Sequence, residues 1–420
     1  MNVLIACVGS AGDVHPFIAI GQALRQRGHA VTLLTSPYFE ERIVRAGLGF
    51  APIGSVSDFT DGLQEADLWH SRRGFAVVCR HVGQHLTAGY QALAALAGPE
   101  TVLVGSTLAF HARLAQEKLG LPMVSVHLSP SVLFSACAPS RWPGLPWLPQ
   151  LPAWLARPVI ASIERLVLDP EVMPALNALR AELALPPVRR VMSHWLHSPQ
   201  QVVCAFPDWF AAPQPDWPAN TRCSGFPLLA ALAGAVLDPL LERFLAAGPP
   251  PIVFTPGSAM AHGQAFFAAA LAACDAIGRR AVLVTPYRDQ LPSSLPAFAR
   301  HVSYVPFDLL APRAAAFVHH GGIGTSAQCL AAGVPQGIVP FAHDQFDNAA
   351  RLKQLGVAEI LSLPARIEDW ARRLMTLTGQ ADIAHAAYRL AGQLQGGDAA
   401  GQIATLIEQT AGQARVEQAP

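Results

Sequence analysis

Phe317-Val-His-His-Gly-Gly-Ile-Gly-Thr-Ser326, followed by Pro340-Phe-Ala-His-Asp-Gln-Phe-Asp-Asn348, is the stretch on which the reading of this chain turns. A short apolar run ends in two histidines and a glycine-rich turn, and the helix-compatible segment Ser326-Ala-Gln-Cys-Leu-Ala-Ala follows. A second apolar run ends in Asp344-Gln345 and Asp347-Asn348. Strand, glycine turn and helix start in that order offer backbone N–H groups and a helix N-terminus to an anion, with a carboxylate and an amide close by for hydroxyls. That combination suits a sugar diphosphate.

The same strand-then-helix rhythm recurs on both sides of it. Val3–Val8, Ala30–Thr35, Thr101–Gly105, Pro122–Leu128 and Gln201–Phe206 are predicted strands. Val3–Val8 is apolar throughout, as a strand buried on both faces should be. Phe17–Arg27 has helical periodicity with Gly28 as its stop. The rhythm breaks over Pro139–Pro158, which is rich in Pro and Trp, and helical periodicity returns over Ile160–Leu183. It restarts with Pro251–Phe254, Arg280–Val284, His301–Val305, Ala315–His319 and Gln336–Pro340, with a helix over Gln264–Ile277. Strand, Gly-Ser turn and helix open both halves, at Gly9-Ser10 and at Gly257-Ser258. The pattern predicts an α/β protein of two Rossmann-like parallel-sheet domains facing across a cleft, with ligands at the carboxyl ends of the strands. The boundaries follow as 1–230, 231–395 and a C-terminal helix and tail at 396–420 that packs back on the first domain. Ala384–Gln413 is predicted helical and Val416–Pro420 disordered.

At 420 residues the chain exceeds one ordinary core. Its 29 basic and 29 acidic residues cancel, which argues against a nucleic-acid partner. The 7 cysteines contain no Cys-x-x-Cys and read as buried small hydrophobes in a reducing compartment. The N-terminus reads as a first strand, not a signal peptide, and no apolar run reaches membrane-spanning length. The expectation is a cytoplasmic protein, with a peripheral contact at the inner membrane as its extension. No Asp-x-Asp and no His/Cys ligand cluster is present, so no metal is expected.

In Gly9-Ser-Ala-Gly-Asp-Val-His-Pro16, Asp13 would stand at the top of the first strand as general base; the plainer reading is a helix N-cap. His15 is the rival base. A dinucleotide reading fails, because the loop is Gly-x-x-Gly and Thr35-Ser-Pro-Tyr supplies no acid for a ribose. Ser258 and His320 could donate to phosphate oxygens. Tyr304 could stack on a nucleobase, with the Val305 backbone reading its edge. Asp344 and Gln345 could bind sugar hydroxyls, with Asp347 and Asn348 capping or orienting their loop.

Together the glycine loop with Asp13, the Gly-Ser turn, Tyr304-Val-Pro, His320-Gly-Gly-Ile and Asp344-Gln resemble the family-1 glycosyltransferases of the GT-B fold, in the same order over nearly the whole chain. Asp13 stands where many members carry a histidine, as in the sterol- and glycopeptide-type branches, and Tyr304 replaces a common tryptophan. The resemblance implies an inverting, metal-free transfer with no cofactor beyond the nucleotide sugar. It implies Asp13 as base, and Ser258, His320, Gly322, Gly324 and Thr325 on the diphosphate. Tyr304 and Val305 would hold the base, Asp344 and Gln345 the sugar, with Ser10 and His15 on the acceptor side; the Pro- and Trp-rich stretch with Trp142 and Trp147 either suits an apolar acceptor through its indole rings or is a lid packed on its own domain. A closer resemblance, to the catalytic subunits of the bacterial rhamnolipid rhamnosyltransferases, rests on His197-Ser-Pro-Gln200, Asp216-Trp-Pro218, Gly225-Phe-Pro227, Ala331-Ala-Gly-Val-Pro-Gln336 and Ala342-His-Asp-Gln-Phe-Asp-Asn-Ala349. It implies dTDP-L-rhamnose as donor and a 3-(3-hydroxyalkanoyloxy)alkanoate lipid as acceptor, or a partner supplying that lipid. The alternatives are a UDP-glucose-dependent transferase for a sterol, polyketide or other apolar acceptor, and a non-catalytic nucleotide-sugar-binding subunit.

Overall fold

The computed structural model describes residues 1–231 and 234–417. The chain divides into two compact units: residues 1–229 with the chain end from Asp398, and Ala230–Gly397. Each unit is built on one parallel sheet.

In the first unit the strands are β1 (Asn2–Ala6), β2 (Ala30–Thr35), β3 (Gly49–Pro52), β4 (Thr101–Ser106), β5 (Met123–His127), β6 (Gln201–Cys204) and β7 (Thr221–Cys223). Their order is β3-β2-β1-β4-β5-β6-β7, every pairing parallel. The sheet is covered on both faces, which explains the unbroken apolar run of β1. Val3 and Ile5 enter one core with Phe17, Ile18 and Leu24, while Leu4 and Ala6 enter another with Leu103 and Phe110. The last helix, Ala399–Glu417, belongs to the first of these cores through Ile403, Ala404, Ile407 and Ala411. Arg27 fixes it further, donating to Glu408 Oε2 at 2.9 Å and to the Gly401 carbonyl at 2.7 Å.

The second unit holds β8 (Ile252–Thr255), β9 (Ala281–Val284), β10 (Ala299–Val302), β11 (Ala316–His319), β12 (Gln336–Ile338) and β13 (Ala358–Ile360), in the order β10-β9-β8-β11-β12-β13. All its pairings are parallel. Phe254, Phe266 and Trp370 fill one face; Val253, Val282 and Phe317 fill the other.

Several elements differ from the sequence expectations. The helix expected from Phe17 begins at Ala11 and runs through Pro16. β3, β7 and β13 were not expected; all three are short edge strands with partly exposed residues. Helix Ala153–Ile163 starts inside the Pro-rich stretch. The expected C-terminal helix is two, Ala381–Leu394 and Ala399–Glu417, parted at Gly396, whose φ of +80° ends the first. That second helix includes the backbone of Val416 and Glu417, placed in a disordered tail by the sequence reading; 418–420 lie outside the described residues. Of the cysteines, Cys137 is exposed and Cys223 half-buried, so the buried-hydrophobe reading fails for those two. No helix among the described residues is long and apolar enough to cross a membrane.

Candidate active site

In a parallel sheet the strand order reverses at one point, and the loops leaving the two strands there diverge to open a crevice at their carboxyl ends. In the first unit those strands are β1 and β4; in the second, β8 and β11. The loop after β1 carries Gly9–Asp13, the loop after β8 carries Gly257-Ser258, and the turn after β11 carries His320–Gly324.

Gly9 has φ +134°, and a Cβ there would run into the Asp13 carboxylate. Ser10 is the helix N-cap, and Asp13 stands three residues inside. Asp13 Oδ2 accepts from Ser10 N at 2.8 Å and Ser10 Oγ at 3.1 Å. Asp13 is therefore not the N-cap; it supplies the reciprocal carboxylate of a capping arrangement. Val8 N donates to Ser106 Oγ at 3.2 Å, which ties this loop to the end of β4. Burial, with the Arg42 charge, pushes His15 down to about 3, so it is a neutral imidazole at working pH.

The second unit's turn is built around two histidines with different jobs. His319 is fully buried; its Nδ1 accepts from Gly321 N at 3.1 Å and its Nε2 faces Gln336 Oε1 at 2.9 Å. Those partners fix the tautomer with the proton on Nε2. His320 lies instead between Gly257 and Gly322. A Cβ at Gly257 would lie 2.8 Å from its Cε1, and one at Gly322 would overlap its Nε2, so glycine on both sides makes room for the ring. Its enclosed Nδ1 has no hydrogen-bond partner. Burial, and then the neighbouring His319, push it down to about 3. Gly322 is the N-cap of helix Ile323–Ala331, so Gly324 and Thr325 lie in its first turn, where N–H groups have no intrahelical acceptor. A neutral imidazole beside a helix N-terminus donates one hydrogen bond to an anion without contributing a charge of its own.

Asp344 opens helix Gln345–Gln354. Asn348, fully buried, donates through Nδ2 to Asp344 Oδ2 at 2.8 Å and to the Gly321 carbonyl at 2.9 Å. Gly321, at φ +91°, lies so close that a Cβ would meet Gln345 O at 3.1 Å. The β11 turn and the β12 loop are thus one assembly. Gln345 corrects an expectation: its Oε1 accepts from Phe341 N at 2.8 Å and Ala342 N at 3.1 Å, so that oxygen is committed to its own loop. Its Nε2 is left as the side chain's donor. His343 has φ +56°, backbone strain directly before Asp344.

Ser258 is exposed on the β8 loop. Tyr304 follows β10 and is 62% exposed, outside the core, while Val305 is buried in the core behind it. Trp142 packs edge-on against Phe134 at 5.0 Å between ring centres, in a small cluster with Leu148, and Trp147 is exposed. Sequence reasoning passed over a chain at the carboxyl end of β5: Thr107 Oγ1 to His127 Nδ1 at 3.0 Å, and His127 Nε2 to His197 Nδ1 at 2.9 Å. The available signal was a histidine ending a mostly apolar strand, Met123–His127. Among the described residues no group of three or more His, Cys, Asp or Glu could hold a metal ion.

Two parallel α/β units with these loops define the GT-B class of transferases. The profile of the "Glycosyltransferase family 28 N-terminal domain" matches residues 3–134, and that of "Erythromycin biosynthesis protein CIII-like, C-terminal domain" matches residues 270–404. The chain is 30% identical over 380 residues to the O-mycaminosyltylonolide 6-deoxyallosyltransferase of Streptomyces fradiae, covering 85% of each chain. Its fold is similar to that of the glycotransferase of kitacinnamycin (TM-score 0.74, 20% identity, covering 97% of this chain and 98% of that one). It is also similar to that of the spinosyn rhamnosyltransferase SpnG complexed with thymidine diphosphate (TM-score 0.68, 20% identity, covering 97% of this chain and 100% of that one). The chain belongs to the antibiotic-type family-1 glycosyltransferases and is a nucleotide-sugar glycosyltransferase.

Proposed function

We propose that this enzyme transfers L-rhamnose from dTDP-L-rhamnose to the hydroxyl of a 3-(3-hydroxyalkanoyloxy)alkanoate lipid with inversion, forming a mono-rhamnolipid, and without a metal. The observation that carries donor binding is the unpartnered, glycine-walled His320 beside the helix N-terminus at Gly322. With Ser258, Thr325 and the amides of Gly322 and Gly324 it holds the diphosphate, and the helix end stabilises the charge that grows as the sugar leaves. Asp344 and the Gln345 amide take sugar hydroxyls, and exposed Tyr304 with Val305 takes the base. Asp13, held by Ser10, removes the acceptor proton as that oxygen attacks the anomeric carbon. The proton goes to Asp13, and the C–O bond to the diphosphate breaks.

Thymidine diphosphate in the rhamnosyltransferase of similar fold supports the dTDP reading, and the motifs around Ala331–Gln336 and Ala342–Ala349 support the lipid. Trp142 and Trp147, in the segment leaving the carboxyl end of β5, suit an apolar acceptor. An acceptor other than this lipid is the second reading, favoured by the Streptomyces fradiae relative, whose name gives O-mycaminosyltylonolide. Thermal shift with dTDP against UDP separates the donors, since the preferred nucleotide raises the melting midpoint by mass action. Equal or greater stabilisation by UDP would move the reading to the UDP-glucose alternative.

A further inference from the structure

We propose that the outer face of the helix Ala153–Ile163 and of the wide turn Glu164–Leu168 that extends it is a docking surface for an anionic lipid bilayer. The inner face is already spent. Ala156 and Ile160 are buried with Ala136 and Leu148, and this small cluster anchors the helix to its unit. The outer face has no such partner. Trp154 is 73% exposed and Leu166 71%, and Leu155, Val167 and the preceding Trp147 are exposed too. Solitary exposed apolar residues are ordinary, but this many large ones within one short segment are not.

Charge identifies the occupant. From Ala153 to Leu168 the chain carries Arg157 and Arg165, both exposed, against one carboxylate, Glu164. Glu164 is buried and turned inward, accepting from Ser193 N at 2.7 Å and Ser193 Oγ at 2.6 Å. Exposed Arg190 lies beside it, with Nε 3.9 Å from Glu164 Oε2. The first exposed carboxylate further along is Glu171. The outward charge of this segment is therefore wholly positive. Tryptophans and leucines among arginines, with no outward acid, match the headgroup layer of an anionic membrane: the rings and aliphatic chains enter the acyl boundary and the guanidinium groups meet lipid phosphates. An acidic protein surface would answer the arginines but leave the projecting apolar residues without an apolar layer. The surface gives a purpose to the lipid-acceptor reading, although its evidence is independent of which sugar is transferred.

The test is flotation of the full chain with vesicles of phosphatidylcholine plus phosphatidylglycerol and, separately, of phosphatidylcholine alone, with no nucleotide sugar present. Its failure would leave sugar transfer untouched, and a failure of lipid glycosylation would leave this binding untouched. The chain is expected to float with the anionic vesicles and much less with the neutral ones. Trp154→Ser with Leu166→Ser should lower partitioning by at least about tenfold, and Arg157→Gln with Arg165→Gln by about fivefold for each arginine. The arginine pair, which leaves the buried cluster intact, carries the test if the first pair melts early. Absence of anionic-vesicle binding, or equal binding by both variants, would overturn the proposal. So would a dimer in size exclusion that Trp154→Ser with Leu166→Ser dissolves, since the face would then belong to a second copy.

Discussion

Asn348 holds Asp344: its side-chain amide donates to Asp344 Oδ2 at 2.8 Å, and the same nitrogen reaches the Gly321 carbonyl at 2.9 Å. One buried amide therefore sets both the carboxylate expected on the sugar and the turn expected on the diphosphate. Asn348→Ala should raise the KM for the nucleotide sugar by about tenfold, the worth of one hydrogen bond to a charged group. The affinity for the bare nucleotide diphosphate should change less. Equal loss for both ligands would mean that Asn348 supports only the turn.

Gly322→Ala is predicted to imitate His320→Ala while keeping the imidazole. Gly322 has φ −61°, which alanine adopts without strain, so the damage comes from the overlap with His320 Nε2. Both variants should weaken nucleotide binding by about tenfold or more, read by calorimetry. Undiminished affinity in His320→Ala would remove that ring from the phosphate site.

Asp13→Asn keeps an oxygen for Ser10 N and so keeps the loop, but it cannot take a proton. Turnover should fall by roughly 10²–10⁴, with nucleotide affinity nearly unchanged. Unchanged turnover would leave Asp13 as the carboxylate that steadies the Ser10 cap and no more.

Acid should destabilise the fold in a defined window. Burial holds His111, His197 and His319 down to about 4, and His15 and His320 to about 3, against the ordinary 6.5. Below 6.5 the unfolded chain binds protons that the folded chain refuses. Stability is therefore intact above that pH and falls as pH drops from there toward 4, by up to about 1.4 kcal/mol per pH unit for each such histidine. Carboxylates held low by their partners, such as Glu408, act only further down. Melting midpoints across the upper part of this window check the sign; a flat profile would contradict it.

What could be read from the sequence follows burial. β1, β4, β8 and β11 lie in the middle of their sheets, are covered on both faces and stand out as apolar runs. β3, β7 and β13 sit at edges, where Gly49-Phe-Ala-Pro52 or Thr221-Arg-Cys223 needs only one paired neighbour, so their residues carry no period. In the site, the glycine turn around His320 and the helix start at Asp344-Gln345 were readable, because a tight turn running into a helix demands those residue types. The commitment of Gln345 Oε1 to Phe341 N and Ala342 N was not, because it depends on a loop conformation that includes His343 at φ +56°. The Thr107–His127–His197 chain joins residues far apart in sequence, and no spacing announces it.

The most direct measurement is incubation of the purified chain with dTDP-L-rhamnose and, in parallel, UDP-glucose, against a hydroxyalkanoyloxyalkanoate lipid, with products read by mass spectrometry. The account predicts a rhamnosylated lipid and released dTDP from the first donor, both lost in Asp13→Asn. A glucosylated product alone, or no nucleotide release from either donor, would contradict it.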